Sequence, residues 1–183
     1  MELYQLFAEI LAYPTPSLHN QANDCASLLT YLDTDAVSLL NEFQTFLKIT
    51  TLERMEEIYT RTFDLQAICH PYVGYQLFGN GSQRGAFMAG IKEHYKACGF
   101  SAGNELPDHL GIMLRFASTC TNAEREELVN ECIVPAVKKM VSGFEDTSNP
   151  YRGVLQALLL VLQREGVDQT TSNAGSEGLG NER

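Results

Sequence analysis

Two neighbouring side chains, Asp108 and His109, have the residue types needed for proton transfer. They lie in the segment ELPDHLGIML (105–114), in which Glu105 supplies a second carboxylate ahead of a run of apolar residues. A small hydrolase or transferase would use His109 as a base oriented by Asp108, and it would need a nucleophile close in space. The same residues suit the start of a helix, where Asp108 would be favoured by the helix dipole and would accept backbone N–H bonds. A third role, in recognition or as a hinge, is also open. We favour capping and this third role over catalysis, so the chain is predicted not to be an enzyme.

Possible metal and phosphate ligands are incomplete in the sequence. His94 and Cys98 are four residues apart on one predicted helix, but zinc needs three or four ligands and no second pair has matching spacing. Cys69 and His70 are adjacent, and adjacent side chains rarely converge on one ion. The glycine-rich FGNGSQRG (78–85) lacks the lysine and the preceding strand of a phosphate-binding loop. We therefore predict no metal and no cofactor.

Arg84 lies in the first turn of a predicted helix, where the helix dipole disfavours a cation. This position predicts an anionic partner, and the candidates are Asp64, Glu105 and Asp108. The partnership could be an internal ion pair or part of a binding rim. The same helix carries a face of small residues that predicts close helix packing: Ala86, Ala89, Gly90 and Ala97.

The composition indicates one soluble, acidic domain. The chain has 183 residues, is 44% hydrophobic, and carries 13 Lys and Arg against 23 Asp and Glu, a net charge of −10. This balance argues against nucleic acid and suits a basic partner. The start, MELYQLFAEILAYP, does not resemble a signal peptide, and the apolar stretch at 154–163 is too short to span a bilayer. Five cysteines without a CxxC pair favour free thiols, so we predict a cytoplasmic location with no integral membrane segment.

Apolar residues recur with helical spacing along almost the whole chain, which predicts an all-α fold, a single compact bundle of about eight helices. A long loop is expected at 64–82, capping boxes are expected at Thr50–Glu53 and Thr121–Glu124, and a kink is expected at Pro135. The predicted helices cover residues 3–11, 17–32, 35–49, 50–63, 83–98, 107–118, a segment from 121 onward, and 150–165. The helical domain is assigned to residues 1–167, and 168–183 is predicted to be a disordered tail.

Four segments in one order point to a family. They are YTRTFDL (59–65), PYVGYQLFGNGSQRGAFM (71–88), HYKACGF (94–100) and ELPDHLGIMLRFA (105–117). Together they resemble the NarJ family of nitrate reductase delta subunits or molybdenum-cofactor assembly chaperones, within the wider TorD-like group. The resemblance implies an all-α cytoplasmic chaperone that binds the N-terminal segment of a molybdoenzyme catalytic subunit, often a twin-arginine leader. Such a chaperone holds the apo-subunit until the molybdenum cofactor is inserted.

The resemblance also suggests where the peptide would bind. The family's ELPDH segment matches residues 105–109, and its LF and RG pairs match Leu77, Phe78, Arg84 and Gly85. We expect an apolar groove with acidic residues at its rim, and Arg84 and His109 beside it. The floor is assigned to Tyr72, Phe78, Tyr95, Met113, Leu114 and Phe116, and the acidic rim to Asp64, Glu105 and Asp108. The predicted client is the alpha subunit of nitrate reductase, with another enzyme of the dimethyl sulfoxide reductase type as the alternative. Both a monomer and a dimer remain open.

Overall fold

The computed structural model describes residues 2–30, 33–65 and 67–174, and none of these residues lies in a β-strand. The predicted all-α fold is therefore confirmed. The helices are α1 (Glu2–Ile10), α2 (Leu18–Leu29), α3 (Thr34–Lys48), α4 (Leu52–Tyr59), α5 (Val73–Phe78), α6 (Ser82–Ala97), α7 (Leu110–Ala117), α8 (Asn122–Leu128), α9 (Val134–Ser142) and α10 (Pro150–Ala174). Within this part of the chain, no helix is long and apolar enough to cross a membrane.

The core forms where the apolar faces of these helices meet. Helix α10 packs on α3 and α9, and α1 packs on α2 and α7. In α7, LGIMLRFA, every residue except Arg115 is buried, which confirms that this helix is central to the bundle. A smaller apolar cluster formed by Tyr95, Ile112, Phe116 and Cys120 joins α6 to α7.

Two π-helical turns interrupt the regular helices. One, Thr60–Asp64, extends α4, and the other, Val129–Ile133, joins α8 to α9. The second turn lies just before Pro135, which has no N–H and cannot take part in the regular hydrogen-bond ladder of a helix. The distortion expected near Pro135 is present as this wider turn.

The capping residues of the helices agree only in part with those predicted from the sequence. Thr121 and Glu124 form the predicted capping box. The cap of α4 was assigned to the wrong threonine, because Thr51 and not Thr50 accepts the N–H of Arg54, at 3.3 Å. The hydroxyl of Thr50 instead donates to the carbonyl of Phe46, 2.7 Å away, at the end of α3.

Three other boundaries differ from the prediction. The expected loop at 64–82 contains the short helix α5, and α7 begins at Leu110 rather than at Pro107. The last helix continues past residue 165 to Ala174, since no proline interrupts it and extending an existing helix costs little per residue. Residues 168–174 of the predicted tail fall within the bounds of α10, and 175–183 lies outside the described residues. Residue 32, the predicted end of the second helix, also lies outside the described residues.

Helix α6 lies at the edge of the bundle, where Tyr95 is its only fully buried residue. Its small-residue face is exposed, so the prediction of close helix packing there is wrong. Helix α6 contacts mainly the short α5, which covers only one side of it. The exposed residues are Ala86, Ala89, Gly90 and Ala97.

Candidate peptide-binding site

The predicted anionic partner of Arg84 is Asp108. Arg84 Nε lies 2.7 Å from Asp108 Oδ2 and Nη2 lies 3.2 Å from Oδ1, a two-point contact that fixes both groups. The Asp108 side chain has no exposed surface, and that of Arg84 is 13% exposed. Asp108 is therefore an internal ion-pair partner. The expectations that Asp108 caps α7 and that it lies at a binding rim are therefore wrong.

The backbone around Asp108 explains why it is buried. Its carbonyl accepts the N–H of Val73 at 2.7 Å, and the N–H of Leu110 donates to the carbonyl of Pro71 at 2.8 Å. These two bonds pair residues 71–73 with 108–110 in an isolated antiparallel bridge between Tyr72 and His109. Helix α7 does not begin earlier, because Pro107 and Asp108 form a turn, His109 is extended, and the backbone of residues 108 and 110 is bonded to another part of the chain.

Aromatic rings and a glycine complete the surroundings of the ion pair. The guanidinium carbon of Arg84 lies 5.1 Å from the ring centre of Tyr72 and 5.8 Å from that of Tyr75, within cation–π range. A Cβ atom on Gly74 would come within 2.8 Å of Asp108 Oδ2. A side chain at position 74 would therefore force the carboxylate of the pair to shift.

His109 is the N-cap of α7. Its Nδ1 accepts the N–H of Gly111 at 3.2 Å, and its ring packs edge-on against Tyr72, with centres 5.4 Å apart. Burial lowers the pKa of His109 below its ordinary value of 6.5, and Arg115 lowers it further, while the nearby carboxylates oppose the shift. Among the described residues, no hydrogen bond joins the side chains of His109 and Asp108. The geometry thus does not form a proton relay.

An open cleft of about 320 Å³ lies beside His109. It brings together the end of α1, the π turn after α4, the loop before α7, and α7 itself. The lining residues are Ala8, Ala12, Tyr13, Tyr59, Asp64, Glu105, His109, Gly111, Ile112 and Arg115.

The cleft has an acidic rim with apolar residues next to it. Asp64 and Glu105 are exposed, and each is followed in the chain by an exposed leucine: Leu65 is 72% exposed and Leu106 is 44% exposed. Tyr13, a lining residue, is 51% exposed. Surfaces that combine exposed apolar side chains with charge are typical of sites that bind a partner.

The structure separates the predicted site residues into three groups. Asp64, Glu105 and His109 line the cleft, and Tyr72 packs against His109. Arg84 and Asp108 form the ion pair beneath. The rest do not line the cleft: Phe78 is exposed but packs against Phe87, and four others are at most 2% exposed within the core, namely Tyr95, Met113, Leu114 and Phe116.

The expectation that these four buried residues floor an open groove is therefore wrong. They lie on the inward-facing sides of α6 and α7, and the sequence does not show that so much of α7 is enclosed. The residues that sequence reasoning missed include Ala8, Ala12 and Tyr13 of the N-terminal region, together with Tyr59 and Arg115. No local pattern links the first helix to residues 105–115, because only tertiary packing of α1 on α7 joins them.

The helical fold has a match among solved structures. A redox enzyme maturation protein from Archaeoglobus fulgidus superposes with a TM-score of 0.60 at 21% identity, over 87% of this chain and 91% of that chain. This similarity defines the class of fold. The chain itself belongs to the nitrate reductase delta subunit family, because that family's model matches residues 30–157, more than half of the sequence.

Two sequence relatives extend the comparison. A protein of Bacillus subtilis (strain 168) described as a nitrate reductase molybdenum cofactor assembly chaperone, NarJ, is 29% identical over 168 residues, covering 90% of each chain. The nitrate reductase-like protein NarX of Mycobacterium tuberculosis is 24% identical over 162 residues, which is 85% of this chain but only 24% of NarX. The predicted family is thus confirmed. The Bacillus relative is described as an assembly chaperone, in agreement with the prediction that this chain is not an enzyme.

Proposed function

We propose that this protein is a cytoplasmic assembly chaperone that binds the N-terminal segment of a nitrate reductase catalytic subunit in the cleft beside His109. It holds the apo-subunit until the molybdenum cofactor is inserted. Membership of the nitrate reductase delta subunit family supports this general role. The observation that carries the peptide-binding step is the open cleft lined by the exposed carboxylates Asp64 and Glu105, each of which is followed in the chain by an exposed leucine.

The charges of the cleft suit a basic leader peptide. Asp64, at the end of the π turn after α4, and Glu105, in the loop before α7, are exposed carboxylates, and each can pair with a peptide cation. Arg115 also lines the cleft, so a cation in the peptide would be favoured near the two carboxylates rather than near α7. The net charge of −10 adds a long-range attraction that speeds association at low salt.

The apolar surface suits the rest of such a peptide. Tyr13, Leu65 and Leu106 are large side chains that the fold leaves exposed, and a helical peptide would cover them with its own apolar face. Burying several hundred Å² at ~25 cal/mol per Å² contributes on the order of 10 kcal/mol before the costs of ordering and association. The expected net affinity is between roughly micromolar and nanomolar, weak enough for the client to be released.

Isothermal titration with a synthetic N-terminal segment of the nitrate reductase alpha subunit tests the proposal. We expect one binding site per chain, and weaker binding at higher salt because exposed charges contribute. The variants Asp64→Asn and Glu105→Gln should each weaken binding, whereas Asp24→Asn and Glu93→Gln, at exposed acids that do not line the cleft, should not. Absence of heat with the segment, together with failure to co-purify with the apo-subunit, would contradict the proposal.

Two further measurements identify the client and separate a chaperone from a permanent subunit. Titration with the leader of another enzyme of the dimethyl sulfoxide reductase type shows whether that enzyme is the preferred client. Quantifying this chain in purified mature nitrate reductase separates the roles, because a chaperone should be absent from it and a structural subunit should be present in equal amount.

A further inference from the structure

A group of three possible metal ligands lies on the surface away from the cleft. His94 and Cys98 come from the last turn and C-cap of α6, and Glu124 comes from the first turn of α8. The ligand atoms of these three residues all lie within 4.8 Å of one another. The sequence shows only the His94–Cys98 pair, and the fold supplies the third ligand from another helix.

We propose that His94, Cys98 and Glu124 form a binding site for a divalent metal ion of the zinc type. A nitrogen, a sulfur and a carboxylate oxygen are the donors that zinc takes in proteins, and three protein ligands leave a fourth position for water or for a group from a partner. In a tetrahedral site with bonds of about 2.0 to 2.3 Å, donors lie roughly 3.3 to 3.7 Å apart, so the side chains must close by about 1 Å. His94 and Cys98 are exposed, which leaves their side chains room for this adjustment.

Neighbouring contacts orient two of the three ligands and leave their donor atoms free. The ring of His94 packs edge-on against Phe116, with centres 5.3 Å apart, and within the described ranges no hydrogen bond uses either of its nitrogens. Glu124 Oε2 accepts the backbone N–H and the hydroxyl of Thr121, at 3.1 and 2.7 Å, which fixes the carboxylate and leaves Oε1 available. Such hydrogen bonds to a ligating carboxylate are typical of metal sites.

The nearby thiol of Cys120 is not part of the proposed site. Cys120 is buried and donates to the carbonyl of Phe116, with a sulfur to oxygen distance of 3.3 Å. Its sulfur is engaged by this hydrogen bond and is not among the donor atoms that lie together at the site. A bound metal ion would therefore join the end of α6 to the start of α8 through the three surface residues alone.

Cobalt(II) titration of the purified full chain, first freed of metal with a chelator, tests the site. We expect one cobalt per chain, an absorption band from charge transfer between thiolate and cobalt, and displacement of cobalt by zinc. Cys98→Ser should abolish the band, and His94→Gln should weaken binding by about tenfold or more. Glu124→Gln should keep the band and the helix cap, because the amide oxygen still accepts hydrogen bonds, but should also weaken binding.

Matched controls keep the result interpretable. Cys132→Ser and Glu131→Gln change the same residue types in the π turn between α8 and α9 and should bind cobalt like the parent. Circular dichroism of each variant establishes that it is folded, which is expected because His94 and Cys98 are exposed. A charge-transfer band that persists in Cys98→Ser, or equal affinity in the parent and His94→Gln, would mean an adventitious ion only and would overturn the proposal.

Discussion

Asp108 illustrates at the level of one residue how burial decides a role. Its carboxylate has no exposed surface and its two oxygens are bound by Arg84. Sequence reasoning correctly placed Asp108 among the three candidate partners of Arg84. It could not choose the internal pair over a binding rim, because that choice depends on the pairing of residues 71–73 with 108–110.

Removing Arg84 should destabilise the fold strongly. In Arg84→Met the Asp108 charge stays buried without its partner, and breaking such a pair costs about 3–5 kcal/mol. Urea unfolding of the two proteins measures the difference in the free energy of unfolding. The matched control is Arg54→Met, which breaks the exposed pair with Glu57, 57% and 63% exposed, and should cost less than about 1 kcal/mol. Equal losses in the two variants would contradict the argument.

His109 should make stability depend on pH. Burial lowers its pKa in the folded state below 6.5, so just below that pH the unfolded chain binds a proton that the folded chain does not. The contribution of His109 to the free energy of unfolding is therefore fully present above pH 6.5, and it is lost as the pH falls from 6.5 toward the folded-state pKa. Protonation also turns Nδ1 into a donor, which can no longer accept the N–H of Gly111.

The variant His109→Asn tests this dependence, because asparagine can cap α7 and does not titrate. Between about pH 7.5 and about pH 5.5 we expect the variant to lose less unfolding free energy than the parent. His19→Asn, at a half-buried histidine of α2, is the control and should follow the parent. A parallel pH dependence in the parent and His109→Asn would show that another group is responsible.

At the scale of elements, the close approach of α5 to the segment before α7 depends on Gly74. A Cβ there would lie 2.8 Å from both Asp108 Oδ2 and Phe87 Cδ1. Gly74→Ala should therefore displace the ion pair or the ring, and we expect a loss of about 1–3 kcal/mol by urea unfolding. Gly90→Ala, within α6 and with nothing within 4 Å of the added Cβ, should instead stabilise by roughly 0.5–1 kcal/mol. Because the two variants should change the free energy of unfolding in opposite directions, the comparison separates steric crowding from helix propensity. Stabilisation by Gly74→Ala would show that the added Cβ is not crowded.

Helical periodicity was sufficient to predict most elements, because the spacing of apolar residues and the caps are local properties. The capping box at Thr121 and the central position of α7 follow from such local patterns. The predicted start of α7 and the predicted packing of α6 were wrong, because contacts between distant parts of the chain determine both. Helix α7 begins late because Leu110 donates to Pro71, and α6 exposes its small residues because only one side of it is covered.

At the scale of the whole molecule, the cleft is a product of tertiary packing. Its lining comes from α1, from the π turn after α4, and from residues 105–115, which are far apart in the chain. The sequence predicts an acidic rim that includes Asp64 and Glu105, which line the cleft, but four of the six residues assigned to the floor lie in the core. The apolar surface available to a peptide comes instead from Tyr13 and from the leucines that follow the two acids.

These leucines should contribute to peptide binding and hardly to folding. Leu65 is 72% exposed and Leu106 is 44% exposed, so replacing either by serine should change the free energy of unfolding by no more than about 0.5 kcal/mol. If a peptide covers them, each replacement removes buried apolar surface from the complex, and we expect binding of the nitrate reductase segment to weaken by about tenfold. Ile49→Ser is the matched control, because Ile49 is 84% exposed at the end of α3 and does not line the cleft. Titration and urea unfolding of all three variants separate the two effects. Unchanged affinity in Leu65→Ser and Leu106→Ser would place the peptide elsewhere on the molecule.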